Sequence, residues 1–421
     1  MLPFNENLDL EDGFPGLKQE FSFTNPEIAY LNGNSLGPKP RKADEYVLKQ
    51  MERWSTYLVK AHTETSEPWV SFEEPLRAQV ASFLGTSPEQ LMLMNALSVN
   101  LHLALFSFYQ PTPTRYKVIY LNAFSSDVYA IKTQIQQRLN TLSCFLDTPP
   151  FNHEDALVRI DEDDNFFVSY EKIQSLLDLH GSQTALLMIE GVHYRTGQAF
   201  NIQKIAHMAA SYGIKIGVDL AHVVGNIPIN LDTMGIDFAV WCHYKYMNAG
   251  PGAIGGFYVH HKHLNNPEIF KLQGWWGVDL NKRFLMSSTF EASPTAASWS
   301  LSNPPLLSLA ILAASLDIFE KIDMQQCFQK SLRLGQYLIQ LLQDELKEHV
   351  QVVTGDERGC QISLKINSAI DLNNIEKELY ARGVYCDVRS QLLRVAPNGL
   401  YNSYKDIYRF VFELKNILLN Q

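Results

Sequence analysis

Between residues 115 and 259 the chain alternates short apolar runs with segments whose apolar residues recur at helical spacing. The runs 115–122 (RYKVIYLN) and 184–189 (TALLMI) are rich in β-branched, aromatic and aliphatic residues and predict strands. In 201–212, Ile202, Ile205, Ala206 and Ala209 share one helical face, and Gly213 supplies a stop. IKIGVDL, FAVWC and AIGGFYV then predict strands ending near Leu220, Cys242 and Val259. Strands apolar on both sides and separated by helices imply a mostly parallel sheet covered on both faces.

After about residue 304 the pattern changes. A helix is predicted over 305–321 and a second over 331–348; strands over 350–353 and 360–366 follow, then a helix over 373–382. VYCDV and LLRVA read as strands, and an amphipathic helix over 404–419 closes the chain. This is a smaller α+β unit. The expected division is an N-terminal segment 1–45 that serves the small domain and the active site, a large α/β domain 46–303, and a small domain 304–421, with a site at the junction.

The 421 residues carry a formal net charge of -10, which argues against sequence-independent nucleic-acid binding, since that requires a positive field. The five cysteines are odd in number and form no CxxC pair, as expected of reduced thiols in a cytoplasmic protein. MLPFNENLDLEDGF has no basic start followed by an apolar run, so no signal peptide is expected. The longest apolar stretch, 306–316, is too short for a bilayer and reads as a buried helix. His260, His261 and His263 lack metal-ligand spacing and read as a solvated loop; no metal is expected. Asp9, Glu11 and Asp12 read as a solvated acidic arm.

Candidate chemistry centres on Lys245 in WCHYKYMNAGPG. It follows a predicted strand, lies between Tyr244 and Tyr246, and precedes Gly250 and Gly252, which permit tight turns. A lysine that holds a carbonyl cofactor as a Schiff base needs a partly desolvated pocket in which its amine can lose a proton. A solvated loop lysine is the alternative. Asp219 in GVDLAH ends another predicted strand. Pyridoxal phosphate (PLP) needs such a carboxylate beside its pyridine nitrogen, so that the protonated ring can accept electrons. A helix-capping aspartate is the plainer reading. His222 follows within one turn and is placed to steady Asp219 or a ligand. In MNALSVNLH, Asn95, Ser98 and Asn100 surround the start of an apolar helical run: a phosphate site at a helix N-terminus, or simple capping by Asn95 or Ser98. Phe124 and Asp127 in NAFSSDVYA supply a ring to stack on a pyridine and a further carboxylate; a core phenylalanine and a capping aspartate are the alternatives.

These pieces sit within longer matching stretches: YLNGNSLGPKP at 30–40, MNALSVNLHL at 94–103, GVHYRTGQ at 191–198, GVDLAHVVGN at 217–226, WCHYKYMNAGPG at 241–252, GWWG at 274–277, SNPP at 302–305 and RVAPNGLYNS at 394–403. Along nearly its whole length the chain resembles the kynureninases. The resemblance implies a fold-type I PLP enzyme of the aspartate aminotransferase superfamily, with a mostly parallel seven-stranded sheet in its large domain. It implies hydrolysis of the Cβ–Cγ bond of L-kynurenine or 3-hydroxykynurenine to an anthranilate and L-alanine, by a cytoplasmic homodimer with shared active sites and no membrane or nucleic-acid partner. Carried over residue by residue, Lys245 holds PLP and moves the α-proton, and Tyr244 reaches the phosphate and relays protons. Leu97 and Ser98 bind the phosphate, Phe124 stacks on the ring, Asp219 pairs with its nitrogen, and His222 and Asp127 lie beside it. Trp275 packs at the phosphate from the partner subunit. Arg394 clamps the substrate carboxylate, where the residues alone suggest a surface strand position. Ser35, His62 and Asn303 lie near the substrate's aromatic end, and Asn303 also borders the cofactor.

Four positions depart from the family pattern. Val278 stands where a histidine usually follows GWWG, and Ser300 where an arginine usually precedes SNPP. Glu190 replaces a small polar residue before GVHYRTG, and His243 a serine beside Tyr244. If all four lie near the ligands, the pocket carries different charge, as in a paralogue acting on a modified kynurenine or another amino acid. Ordinary drift is the simpler account. Another fold-type I reaction, aminotransfer or desulfuration, and a non-catalytic PLP-fold protein are the remaining alternatives. A desulfurase would need a mobile catalytic cysteine, and none of the five lies in a Gly/Ser-rich loop.

Overall fold

The computed structural model describes residues 4–144 and 151–419; the first three residues of the N-terminal stretch read above lie outside them. Strand β1 (Ala29–Tyr30) stands apart from the next seven. These are β2 (Leu91–Leu93), β3 (Lys117–Leu121), β4 (Leu157–Ile160), β5 (Thr184–Glu190), β6 (Lys215–Asp219), β7 (Phe238–Cys242) and β8 (Gly255–Val259). They form one sheet in the order β2-β8-β7-β6-β5-β3-β4. β7, β6, β5, β3 and β4 run parallel, whereas β8 is antiparallel to both of its neighbours. The expected mostly parallel seven-stranded sheet is therefore present. β2 and β4 were not legible as strands in the sequence, because three- and four-residue strands carry too few positions to set a period.

Alternate strand residues feed two cores. Leu187, Ile189 and Val218 pack with the helices Tyr170–His180 and Ile202–Ala210 on one face. Leu186, Met188 and Val240 pack with the helices Leu97–Phe108 and Ser125–Ser143 on the other. Each Val, Leu or Ile fully buried this way stabilises the fold by roughly 1.5–3 kcal/mol, which is why both sides of these strands are apolar. The largely apolar helix Leu306–Phe319 is mostly buried from Leu309 onward, and most of its buried side chains pack into the first core, as its composition predicts. Among the described residues, no helix is long and apolar enough to cross a membrane.

The C-terminal part has its own core around the helices Met324–Leu346 and Tyr404–Leu419. Its strands are β9 (Val350–Val352), β10 (Ile362–Ile366), β11 (Val384–Tyr385), β12 (Asp387–Arg389) and β13 (Leu392–Val395). VYCDV is not one strand. Buried Cys386 divides it: β11 pairs in parallel with β1 of the N-terminal segment, while β12 pairs antiparallel with β13 in a four-stranded sheet. Of the acidic arm, Glu11 is exposed as expected, but Asp9 and Asp12 are not solvated. Asp9 accepts hydrogen bonds from the amides of Tyr404 (2.7 Å) and Lys405, satisfying donors at the start of the last helix, and Asp12 pairs with Arg333 at 2.9 Å. His263 leaves the expected loop for the interior, with Nε2 2.6 Å from Oδ1 of Asp237.

Candidate active site

The carboxyl ends of four neighbouring parallel strands, β3, β5, β6 and β7, deliver the residues of one cleft, the place where open α/β sheets generally bind ligands. Phe124 follows β3, Glu190 ends β5, Asp219 ends β6, and Tyr244 and Lys245 follow β7. The cleft measures about 250 Å³, and Ser35, Leu97, Ser98, His222 and Arg394 also line it. The sequence-derived candidates Lys245, Tyr244, Leu97, Ser98, Phe124, Asp219, His222, Ser35 and Arg394 therefore meet in one place. Asp127 lies buried just beneath, hydrogen-bonded to Asp219.

Lys245 is not a solvated loop residue. Its Nζ donates to Nε2 of His222 at 3.0 Å. Burial first, and then the Lys245 cation, hold His222 well below the usual histidine range, so its imidazole is a neutral acceptor. Its Nδ1 is buried without a hydrogen-bond partner. The Lys245 loop is locked from the N-terminal segment: the Gly37 amide donates to the Tyr244 carbonyl at 2.8 Å. A Cβ on Gly37 would come 2.3 Å from the Lys245 carbonyl oxygen, a contact only glycine avoids. Gly250, at φ +84°, provides the left-handed turn that closes the loop.

Three carboxyls meet opposite this lysine. Burial, reinforced by the charges of Asp219 and Glu190, pushes Asp127 well above the usual carboxylate range, so it keeps its proton and donates to Asp219. Burial also raises Asp219, opposed by the Lys245 cation, the Ala221 amide at 2.7 Å and the Asp127 hydroxyl. Asp219 thus turns back on the residues just after its strand while its other face meets the cleft. Glu190, pushed up to about 8 by burial and by Asp219, is its register partner across β5 and β6.

At the other end of the cleft two helix N-termini converge. Neither Leu97–Phe108 nor Ser125–Ser143 has a side-chain cap, and Oγ of Ser98 and Oγ of Ser126 lie 2.6 Å apart between them. The simple capping reading fails, because neither Asn95 nor Ser98 accepts from an amide of the helix start: Asn95 donates through Nδ2 to Asn100, and Ser98 pairs with Ser126. Uncapped helix amides with two hydroxyls suit a phosphate. A phosphate cradle, a buried carboxyl cluster, an unpartnered imidazole nitrogen and a lysine beside it fit the parts of PLP.

Arg394 is buried rather than on the surface. Its Nε donates to Oδ1 of Asp387 at 2.8 Å, its second terminal nitrogen donates to Oδ2 of Asp387, and Nη1 donates to the Tyr194 carbonyl at 2.7 Å. A guanidinium has five N–H donors, so two remain for a carboxylate ligand. Ser35 donates to Oδ2 of Asp387 at 2.9 Å and so belongs to this pair. Sequence reading missed Asp387, Tyr194 and Ser126. Asp387 is the cross-strand partner of Arg394, a signal available only once the hairpin register is known.

Three candidates lie elsewhere. His62, Trp275 and Asn303 line a second, more apolar cavity of about 490 Å³, with Trp69, Trp276 and Phe284. Of the four departures from the family pattern, only Glu190 lines the first cleft. His243 is buried behind it, accepting from Trp241 at Nε2 (2.9 Å) and donating from Nδ1 to the Ile254 carbonyl; burial pushes it down to about 4. Ser300 is buried against the sulfur of Met94, and Val278 bridges to Ala292.

Comparison with known proteins accords with this geometry. The family model described as "Kynureninase C-terminal domain" matches residues 328–414. A relative named kynureninase from Myxococcus xanthus is 39% identical over 98% of this chain and 96% of its own length. One from Xanthomonas euvesicatoria is 40% identical over 97% of this chain and 96% of its own. Among solved structures, the cysteine desulfurase CsdA of Escherichia coli superposes with a TM-score of 0.76 over 96% of this chain and 98% of its own at 15% identity. A C-DES variant with glycine covalently linked to its PLP cofactor superposes at 0.75, over 93% and 97%, also at 15%. At that identity these two establish the fold alone.

Proposed function

Because the chain belongs to the kynureninase family, we propose that it hydrolyses the Cβ–Cγ bond of L-kynurenine, or of 3-hydroxykynurenine, to an anthranilate and L-alanine with PLP as cofactor. The observation that carries this reading is the near-full-length similarity, joined to a cleft that gathers Lys245, Asp219, His222 and Arg394. Aminotransfer and desulfuration are not favoured: the desulfurase likeness extends to the fold alone, and among the described residues no cysteine lines the cleft.

When bound, PLP supplies a carbonyl for covalent attachment of amines and a ring that draws electrons from the substrate's α-carbon. In our reading Lys245 Nζ is the amine that holds the cofactor and then moves the α-proton. Asp219 would pair with the pyridine nitrogen, and His222 and Asp127 hold Lys245 and Asp219 in place. The Ser98 and Ser126 hydroxyls and the amide of Leu97 would hold the phosphate, and Phe124 would wall the ring. The two spare N–H groups of Arg394 take the α-carboxylate, which fixes the orientation of the labile bonds. Tyr244 works as a neutral phenol, passing a proton rather than serving as a phenolate. Closely spaced neutral and charged partners let each proton move a short distance within a buried cleft.

We further propose a cytoplasmic homodimer. Its support is the second cavity, where His62, Trp275 and Asn303 collect away from Lys245, beside exposed Val59, Phe284, Leu285 and Met286. A second copy seated there would bring these side chains to the neighbouring cleft. Sedimentation should give twice the chain mass; a monomer at working concentration overturns this part. The reaction is tested by incubating PLP-loaded protein with each kynurenine and measuring alanine. Release from at least one is expected, and release from neither refutes the assignment.

A further inference from the structure

Glu190 does something that neither its position at a strand end nor the reaction above requires. Its Oε1 accepts from the Phe124 amide at 2.8 Å and its Oε2 from the Tyr194 amide at 2.9 Å. One buried carboxyl thus joins two separate walls of the cleft. Phe124 starts the helix whose N-terminus carries Ser126, and its ring meets that of Tyr194 edge to face at 5.5 Å. Tyr194 in turn presents the carbonyl that accepts from Arg394. Glu190 also stands in register beside Asp219 on the adjacent strand.

We propose that Glu190 is a positioning residue for the cofactor ring: its carboxylate holds the Phe124 wall and the Tyr194–Arg394 side in fixed relation and adds negative charge beside Asp219. The proposal rests on the PLP reading of the cleft. Two amide donors, one to each oxygen, are best satisfied by the ionised form. Burial and the Asp219 charge work against ionisation, and the two amides and the Lys245 cation work for it; the balance lies at about 8, so the negative charge develops in the upper half of the pH range 5 to 10. The ionisable groups around it are Asp219 on β6, Asp127 on the helix Ser125–Ser143, Lys245 and Tyr244 after β7, His222 after β6, Tyr194 in the following turn, and Arg394 and Arg389 on β13 and β12. A carboxylate so placed raises the proton affinity of any cationic nitrogen in the cleft.

Glu190→Gln removes the charge and sets an amide NH2 against a backbone donor. The visible absorbance of bound PLP is titrated from pH 5 to 10 in wild type, Glu190→Gln and Glu190→Asp, together with the rate of PLP loss on dialysis. We expect Glu190→Gln to lower the titration midpoint by on the order of 1 unit and to speed PLP loss, and Glu190→Asp to keep the wild-type midpoint. A merely structural glutamate would alter PLP retention without moving the midpoint, so an unmoved midpoint in Glu190→Gln overturns the proposal. Should Glu190→Gln not fold, a Glu190→Asp midpoint displaced as far as that expected for glutamine overturns it equally. A wild-type protein that takes up no PLP defeats the underlying reading, and this proposal with it, and is distinguishable from either result.

Discussion

Asp387 and Arg394 face each other across the β12–β13 hairpin and lock through two parallel N–H···O bonds, with Ser35 of the N-terminal segment donating to the same carboxylate. Burial alone would favour a neutral Asp387, but Arg394 and Ser35 hold its carboxyl below the usual range. The guanidinium is thereby held still with two donors free, the condition for recognising a carboxylate at a set angle. Asp387→Asn presents a donor where an acceptor is needed. It should lower kcat/KM by about 10–100-fold. Ser35→Ala, which loses one hydroxyl donor to that carboxylate, should lower it by roughly 2–10-fold. Steady-state kinetics of the two variants would check the order, and an Asp387→Asn enzyme with unchanged kcat/KM would exclude this support for Arg394.

Tyr244 lies partly buried after β7, and its phenol is raised by burial, by the Cys242 thiol and by the Asp219 carboxylate. It therefore keeps its proton throughout the neutral and mildly alkaline range. Tyr244→Phe should reduce kcat by about 10–100-fold while leaving any alkaline limb below pH 10 in place. Loss of such a limb in the pH–rate profile of the variant would show that the phenol ionises there after all.

Gly37 is the contact between the N-terminal segment and the Lys245 loop. The methyl of alanine would meet the Lys245 carbonyl and the Asn248 side chain, each at 2.3 Å. Gly37→Ala should cost about 1–3 kcal/mol of stability and weaken retention of PLP. Urea unfolding together with cofactor retention on gel filtration measures both, and a fully stable variant with unchanged retention contradicts the packing described.

Away from the cleft, Asp237 takes Nε2 of His263 at 2.6 Å, Lys262 at 2.9 Å and the Ile216 amide at 2.7 Å. Burial opposes its ionisation, yet these partners bring it down to about 2. A carboxyl lowered on folding adds stability that is fully present above the ordinary aspartate value, near pH 4, and is lost as pH falls towards 2. Asp237→Asn should cost about 2–4 kcal/mol at pH 7, and the gap from wild type should shrink between pH 4 and pH 2. Urea midpoints taken across that range would expose a pH-independent gap if the pairing were unimportant.

The order and kind of the longer elements could be read from the chain, because side-chain periodicity is a local property. β6 to β8 fall within their apolar runs, β5 overruns its own by one residue to Glu190, and the last helix spans Tyr404–Leu419 as its pattern predicts. Short strands such as β2, and the division of VYCDV between two sheets, could not be read, since pairing partners rather than composition decide them.

Within the cleft the same line divides what was legible. Lys245, Asp219 and Ser98 could be singled out because strand ends and helix starts are visible in sequence and their chemistry is particular. The roles of Asp387 and Glu190 could not, because both depend on which strands lie side by side. Nor could sequence show that Glu190 enters the cleft while His243, Ser300 and Val278 do not line it. A neighbour in sequence fixes only where a side chain begins. Burial and proximity, which set its protonation and its partner, arise only when distant strands close around it.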